Sequence, residues 1–166
     1  YGNGNGPSLV LAGHTDVVAS GPEHLWKTPP FEPTLSNGIL YGRGAADMKT
    51  GLCALIVAAE RFVGKHPNFN GNLSFAITSD EEGKAIDGSQ VIANYLKAQN
   101  QIPDWCLVGE PSSFNRLGDS VRVGRRGSLI VYLKVKGKQG HVAYPKSLSN
   151  PIHLANKLVH KLTNKQ

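Results

Sequence analysis

Three apolar runs in the first two thirds of the chain predict buried strands. They read "SLVLAG" at 8–13, "GNLSFAITS" at 71–79 and "DWCLVGE" at 104–110. Short apolar runs of this length, bounded by glycine and polar residues, are typical of strands inside a sheet. A further short extended piece is predicted at "GILYGRG", residues 38–44.

Helical periodicity lies between these strands. The stretch "DMKTGLCALIVAAERFVGKH" (47–66) places apolar residues on one helical face: Leu52, Leu55, Ile56, Ala59, Phe62 and Val63. "DGSQVIANYLKAQN" (87–100) predicts a second helix, with Asp87 or Ser89 near its N-terminus. Alternating strands and helices predict an α/β fold, with a mostly parallel sheet and helices on both faces.

The pattern changes after Ser120. "SVRVGRRG" and "SLIVYLKVKG" are predicted to form an antiparallel pair, and "SNPIHLANKLVHKLTNKQ" predicts a helix with Asn150 as its cap and Pro151 at its first position. We therefore expect an α/β domain over 1–126 and the start of a small α+β domain over 127–166. Because one antiparallel pair cannot bury both its faces, we expect both domains to be parts of a longer protein.

The composition is that of a globular protein. Hydrophobic residues make up 40% of the 166, and no run approaches the roughly 20 apolar residues of a membrane span. Cys53 and Cys106 lie in apolar runs without Cys-x-x-Cys spacing. This predicts buried, reduced thiols and a cytoplasmic location.

The net charge of +6 is distributed over several short basic groups. Aromatic residues do not alternate with them, which argues against nucleic-acid binding. An anionic small molecule is the partner that this charge favours.

Chemically active side chains follow each predicted strand. They are His14 and Asp16 after the first, Glu81 and Glu82 after the second, and Glu110 after the third, with Asp47 before the first long helix. In an open α/β sheet, ligands bind beyond the carboxyl ends of the strands, so these residues are expected to converge. An imidazole among carboxylates predicts a site for a divalent metal ion. Zn²⁺ is the first candidate for this ion, and Mn²⁺ or Co²⁺ is the next.

Each of these residues also has an ordinary interpretation. Taken singly, they could be a core histidine (His14), a helix N-cap (Asp47), a solvated turn (Glu81 and Glu82) and a partner of Arg116 (Glu110). Their occurrence at three successive strand ends favours the metal site. A cation would also offset the repulsion within the acidic run "TSDEEG".

Two further aspartates are expected to differ in role, Asp16 in the site and Asp80 outside its chemistry. His14 and Asp16 lie on the same side of an extended segment, so the Asp16 carboxylate can accept the other ring N–H of His14 and orient it. For Asp80, the first acidic residue of "TSDEEG", we predict a structural hydrogen bond in the turn.

Six motifs carry a resemblance to a known family. In order and with compatible spacing, the chain contains "GHTDVV", "GRGAADMKTG", "TSDEEG", "GEPS", "GRRGS" and "GHVAYP". They resemble the M20 family of dinuclear zinc hydrolases, and within it the enzymes that remove a succinyl group from an amino-acid derivative. The resemblance implies a catalytic domain over 1–126 and a lid that mediates homodimerisation over 127–166.

The resemblance also implies roles for the acidic residues and His14. His14 and Glu110 would hold one zinc ion, Asp47 would bridge two, and Glu82 would hold the second. Glu81 would be the general base that takes a proton from the attacking water and returns it to the leaving amine. A cis peptide bond is implied after Asp47.

Four residues near or beyond Gly127 would act on the substrate. By resemblance, His141 would reach across the dimer and stabilise the oxyanion, and Arg125 would grip a substrate carboxylate. Ser128 and Tyr144 are candidate neighbours of the substrate. The ordinary interpretation of Arg125 and Arg126 is a solvated hairpin.

One departure from the family concerns the second zinc ion. The family uses a further histidine that no residue here matches, and His153 and His160 lie on the predicted helix of the second domain. We therefore expect the 166-residue chain by itself to be inactive. The alternatives are another amidohydrolase of the family, such as a deacetylase, and a non-catalytic metal-binding or dimerisation module. Glu81 argues against the latter, because a structural zinc site needs no base.

Overall fold

The computed structural model describes residues 1–124 and 126–164. Contacts within the chain divide it into two compact units, residues 1–122 and 123–166. The assignment of residues 127–166 to a lid or dimerisation domain stays a prediction.

The first unit contains a three-stranded parallel sheet. Its strands are Ser8–His14 (β1), Asn72–Thr78 (β4) and Trp105–Val108 (β5), in the order β4-β1-β5. The three predicted strands are therefore confirmed. The short extended piece is also confirmed, as Ile39–Tyr41 (β3), which pairs antiparallel with Thr34–Ser36 (β2).

Helices cover both faces of this sheet. Because successive side chains of a strand point to opposite faces, Leu9 and Leu11 line a cavity with helix Thr50–Lys65 (α1), whereas Val10 and Ala12 line one with helix Ser89–Ala98 (α2). This is the predicted α/β arrangement. The buried apolar residues of the first unit are Val10, Leu11, Met48, Leu52 and Ala59.

The second unit contains the predicted helix, Pro151–Thr163 (α3). The side chain of Asn150 accepts a hydrogen bond from the N–H of Ile152 at 2.9 Å, and Pro151 occupies the first helical position. The first N–H groups of a helix have no acceptor within the helix. Asn150 supplies an acceptor for one of them, and proline at the first position has no N–H group to satisfy.

The predicted antiparallel pair after Ser120 is wrong. The described residues between 120 and 137 form no strand, and the nearest ladder is an isolated bridge between Lys138 and Ser149. Leu129, Ile130, Val131 and Tyr132 are 73–93% exposed. Alternating apolar residues stabilise a two-stranded ribbon only when one face packs against something, and no element among the described residues covers these side chains.

The two cysteines are exposed, so the prediction of buried thiols is wrong. Cys106 lies on β5, which is at the edge of the sheet and, among the described residues, pairs with β1 alone. Cys53 lies on an exposed position of α1. Within the described part of the chain, no helix is both long and apolar enough to cross a bilayer.

Candidate metal centre

The ends of the three parallel strands bring the predicted residues together. His14 is the last residue of β1 and pairs in register with Thr78, the last residue of β4. Gly109, just beyond β5, donates its N–H to the carbonyl of Ala12 at 3.0 Å, and Glu110 follows it. Parallel register therefore places His14, the start of the acidic turn and Glu110 at one edge of the sheet.

The imidazole of His14 is the centre of this cluster and is 1% exposed. Its Nε2 atom lies 3.1 Å from Asp47 Oδ1, 3.2 Å from Glu110 Oε1 and 3.8 Å from Glu81 Oε2. Burial favours the neutral ring, but the Asp16 carbonyl and the carboxylates of Glu110, Glu81 and Asp47 outweigh it and raise the pKa of His14.

The other ring nitrogen fixes the tautomer of His14. Nδ1 lies 2.9 Å from the backbone carbonyl oxygen of Asp16 and 3.4 Å from its carboxylate Oδ1. A carbonyl can only accept, so Nδ1 carries the proton and the lone pair of the neutral ring is on Nε2, facing Asp47 and Glu110. This leaves Nε2 available to a cation.

The predicted contact of the Asp16 carboxylate with His14 needs correction. The carbonyl of Asp16, rather than its carboxylate, accepts the ring N–H. The carboxylate Oδ2 instead accepts the backbone N–H groups of Glu81 at 3.0 Å and Glu82 at 2.9 Å. Burial works against ionisation, but these N–H groups hold the pKa of Asp16 below its ordinary value. Asp16 thus orients the histidine through its backbone and the acidic turn through its side chain.

A buried methionine next to Asp47 was not predicted. The Asp47–Met48 peptide bond is cis, as the resemblance implies, and both residues leave helical geometry within the turn Ala45–Lys49. Met48 is fully buried, and its Sδ accepts the N–H of His14 at 3.2 Å. The N-cap position of α1 is occupied by Lys49 and not by Asp47, and Met48 packs directly against His14.

Two glycines make room for Met48. A Cβ atom added at Gly13 would lie 2.6 Å from Met48 Cε, and one at Gly109 would lie 2.9 Å from it. Both distances are shorter than real Cβ contacts, so a larger residue at either position would force the buried methyl group of Met48 to move. Gly13 directly precedes His14 in "AGHTD", and Gly109 directly precedes Glu110 in "VGEPS". These two glycines are the feature of the sequence that could have indicated a side chain packed closely against both strand ends.

The described residues form two groups able to hold a metal ion. One consists of His14, Asp47 and Glu110, and the other of His14, Glu81 and Glu82; within each group the ligand atoms lie within 4.8 Å of one another. Imidazole nitrogen with carboxylate oxygen is a donor set suited to a borderline divalent cation. Neither group contains a second histidine from the described residues.

Comparison with known proteins identifies the family. Residues 10–164 match the sequence profile of peptidase family M20/M25/M40. The chain belongs to this family. M20 proteins are metal-dependent, which agrees with the groups around His14.

Two curated relatives of the M20 chain carry the name succinyl-diaminopimelate desuccinylase. The protein of Acinetobacter baylyi is 56% identical over 156 residues, covering 94% of this chain and 41% of the relative. That of Xanthomonas euvesicatoria pv. vesicatoria is 55% identical over 166 residues, covering 100% of this chain and 44% of the relative. The chain thus spans less than half the length of these relatives.

A solved structure supports the fold. The M20 family metallo-carboxypeptidase of Sulfolobus solfataricus superposes with a TM-score of 0.51 at 24% identity, over 65% of this chain and 24% of that one. At this identity the likeness concerns the arrangement of strands and helices alone.

The remaining residues predicted for the M20 site do not belong to the first unit. Ser128, His141 and Tyr144 are exposed in the second unit, where His141 Nδ1 accepts the N–H of Ala143 at 3.1 Å and its ring centroid is 6.1 Å from that of Tyr144. Arg125 lies outside the described residues. The substrate-facing roles of all four stay predictions.

Proposed function

We propose that this chain is the metal-binding part of a zinc-dependent desuccinylase. The reaction is hydrolysis of the amide bond of N-succinyl-LL-2,6-diaminopimelate to succinate and LL-2,6-diaminopimelate, a step of lysine and diaminopimelate biosynthesis in the cytoplasm. The observation that carries the proposal is the convergence of His14, Asp47 and Glu110 within ligand distance of one another. The names of the two relatives support the substrate.

His14 and Glu110 would hold one ion, Asp47 would bridge two ions, and Glu82 would hold the second. When bound, two such cations polarise the scissile carbonyl and lower the pKa of the attacking water. Zinc is the ion proposed, and cobalt or manganese offers compatible chemistry. The short distances from His14 Nε2 to Asp47 and Glu110 support the first set of ligands.

Glu81 is proposed as the residue that moves the proton. Its carboxylate is half exposed and its Oε2 lies 3.8 Å from His14 Nε2, so it is at the centre yet open to solvent. In the reaction Glu81 takes a proton from the attacking water and delivers it to the nitrogen of the leaving amine. Asp16 supports this residue by accepting the N–H of Glu81.

The substrate is an anion, which agrees with a net charge of +6. Arg125 would bind one of its carboxylates, with Ser128 and Tyr144 nearby, and His141 would stabilise the oxyanion from the other subunit of a homodimer formed through 127–166.

The 166-residue chain alone is proposed to be inactive. The group that contains Glu82 includes no second histidine from the described residues. An ion held there would have an incomplete set of protein ligands and would be lost more readily.

Turnover of two substrates tests the proposal. Full-length protein loaded with zinc should hydrolyse N-succinyl-LL-2,6-diaminopimelate far faster than acetylornithine, and a chelator should abolish the activity. Preference for acetylornithine would assign the chain to the deacetylases instead. Absence of turnover with either substrate would favour the non-catalytic metal-binding module. Zinc-dependent activity of the isolated 166-residue chain would contradict the proposed inactivity.

A further inference from the structure

The loop between β4 and α2 is closed by one carboxylate. Asp80 Oδ2 accepts the backbone N–H groups of Ile86 at 2.9 Å and Asp87 at 2.8 Å, and its Oδ1 accepts that of Ala85 at 3.3 Å. Ala85 has a left-handed backbone with φ of 53°. Three successive N–H groups directed at one charged acceptor form a strong local clamp, since hydrogen bonds to ionised groups are stronger than neutral ones.

The same loop is anchored to the strand that precedes it. Thr78 Oγ1 accepts the N–H of Asp80 at 3.1 Å, and the carbonyl of Thr78 accepts the N–H of Thr15 at 2.9 Å. Gly88 packs so closely on this corner that a Cβ atom there would overlap the Asp80 carbonyl oxygen. The start and the end of the loop are therefore held together at Asp80.

The closed loop presents the two glutamates of the metal centre. Between Asp80 and Ala85 lie Glu81 and Glu82, whose N–H groups both point to Asp16 Oδ2. Two carboxylates thus fix this segment, that of Asp16, two residues beyond the end of β1, and that of Asp80 within the loop. If the hydrogen bonds to the Asp80 carboxylate were lost, the far end of the loop would be released from Asp80, and the two N–H groups would be held at Asp16 by their own hydrogen bonds alone.

We propose that Asp80 is a positioning residue that holds Glu81 and Glu82 at the metal centre by closing the loop 81–87. This proposal rests on the proposed function, in which Glu81 transfers a proton and Glu82 binds a metal ion. Asp80 itself neither binds an ion nor moves a proton.

The chain provides a matched control. Asp119 uses the same device in the loop after Glu110, where its carboxylate accepts the N–H groups of Phe114, Asn115 and Arg116 at 2.8–3.1 Å. Asp119→Ala therefore removes an equivalent clamp from the same unit without touching the loop that carries Glu81 and Glu82.

The first measurement is backbone amide exchange in metal-free, full-length protein. Asp80→Ala should speed exchange at Glu81 and Glu82 about tenfold, although neither N–H bonds to Asp80, because their bonds to Asp16 loosen. Asp119→Ala should leave these two amides unchanged. Exchange at the parent rate in Asp80→Ala would overturn the proposal, and this result does not depend on any metal or activity.

The second measurement is a Co²⁺ titration followed by the visible absorption of the bound ion. Asp80→Ala should weaken the second ion about 10–100-fold, and Asp80→Asn, which keeps one acceptor oxygen, should recover part of the loss. Asp119→Ala should bind within about twofold of the parent by the same reasoning. An equal loss in Asp119→Ala would show general destabilisation and overturn the proposal. If the parent bound no Co²⁺, the proposed function would fail, while the exchange experiment would still decide the role of Asp80.

Discussion

At the scale of single residues, the acidic side chains of the site fall into two classes, those that accept backbone N–H groups and those that face the imidazole of His14. Asp16 accepts N–H groups of the acidic turn, and Asp80 accepts those of the loop that follows. Asp47, Glu81 and Glu110 instead direct oxygens at the imidazole of His14. Acidic residues that are close in sequence therefore have different roles: some hold the backbone in place, and others are available to a metal ion or a proton.

Glu81→Gln separates proton transfer from metal binding. The amide keeps the shape of the side chain but cannot take a proton, so kcat of full-length protein should fall about 10²–10⁴-fold while metal content stays at the parent value. Glu60→Gln, on an exposed position of α1, is the control and should be neutral. Parent-like turnover in Glu81→Gln would remove Glu81 from the mechanism.

At the scale of elements, the packing of Met48 beneath His14 links the turn before α1 to the ends of β1 and β5. Gly13→Ala would bring a Cβ atom to within 2.6 Å of Met48 Cε. We expect it to lower the free energy of unfolding by about 1–3 kcal/mol, as overpacking does. Urea unfolding measures this change.

Gly64→Ala is the matched control for that substitution. A Cβ atom at Gly64 meets nothing within 4 Å, and the residue lies in α1. Alanine should therefore raise stability by up to about 1 kcal/mol through its helix propensity. Equal stability of the two variants would contradict a tight fit of the Met48 methyl group against Gly13.

The sequence predicted the elements that follow from local pattern and missed those that depend on distant contacts. Strands β1, β4 and β5 and helices α1, α2 and α3 were predictable from apolar periodicity and the Asn150 cap. The alternation in 128–137 predicted a strand wrongly, because periodicity does not reveal whether a packing partner exists. The position of His14 could be predicted from the end of its strand. The hydrogen bonds that the N–H groups of Glu81 and Glu82 donate to Asp16 could not, because they depend on the parallel register of β1 and β4.

At the scale of the whole molecule, pH and metal binding are coupled through His14. Its raised pKa in the metal-free state contributes stability that is fully present below the unfolded-state pKa and is lost as pH rises through the folded-state pKa. A cation requires the neutral ring, so its stabilising effect should grow over the same interval. Zinc should therefore raise the Tm of full-length protein more at pH 8 than at pH 6. An equal or smaller shift at pH 8 would contradict ligation by His14.

The most direct test of the central claim is a crystal structure of the zinc-loaded protein. One ion should lie about 2.0–2.2 Å from His14 Nε2 and from a carboxylate oxygen of both Asp47 and Glu110. Zinc bound elsewhere, with His14 Nε2 still directed at Asp47 and Glu110 without an ion between them, would contradict the account.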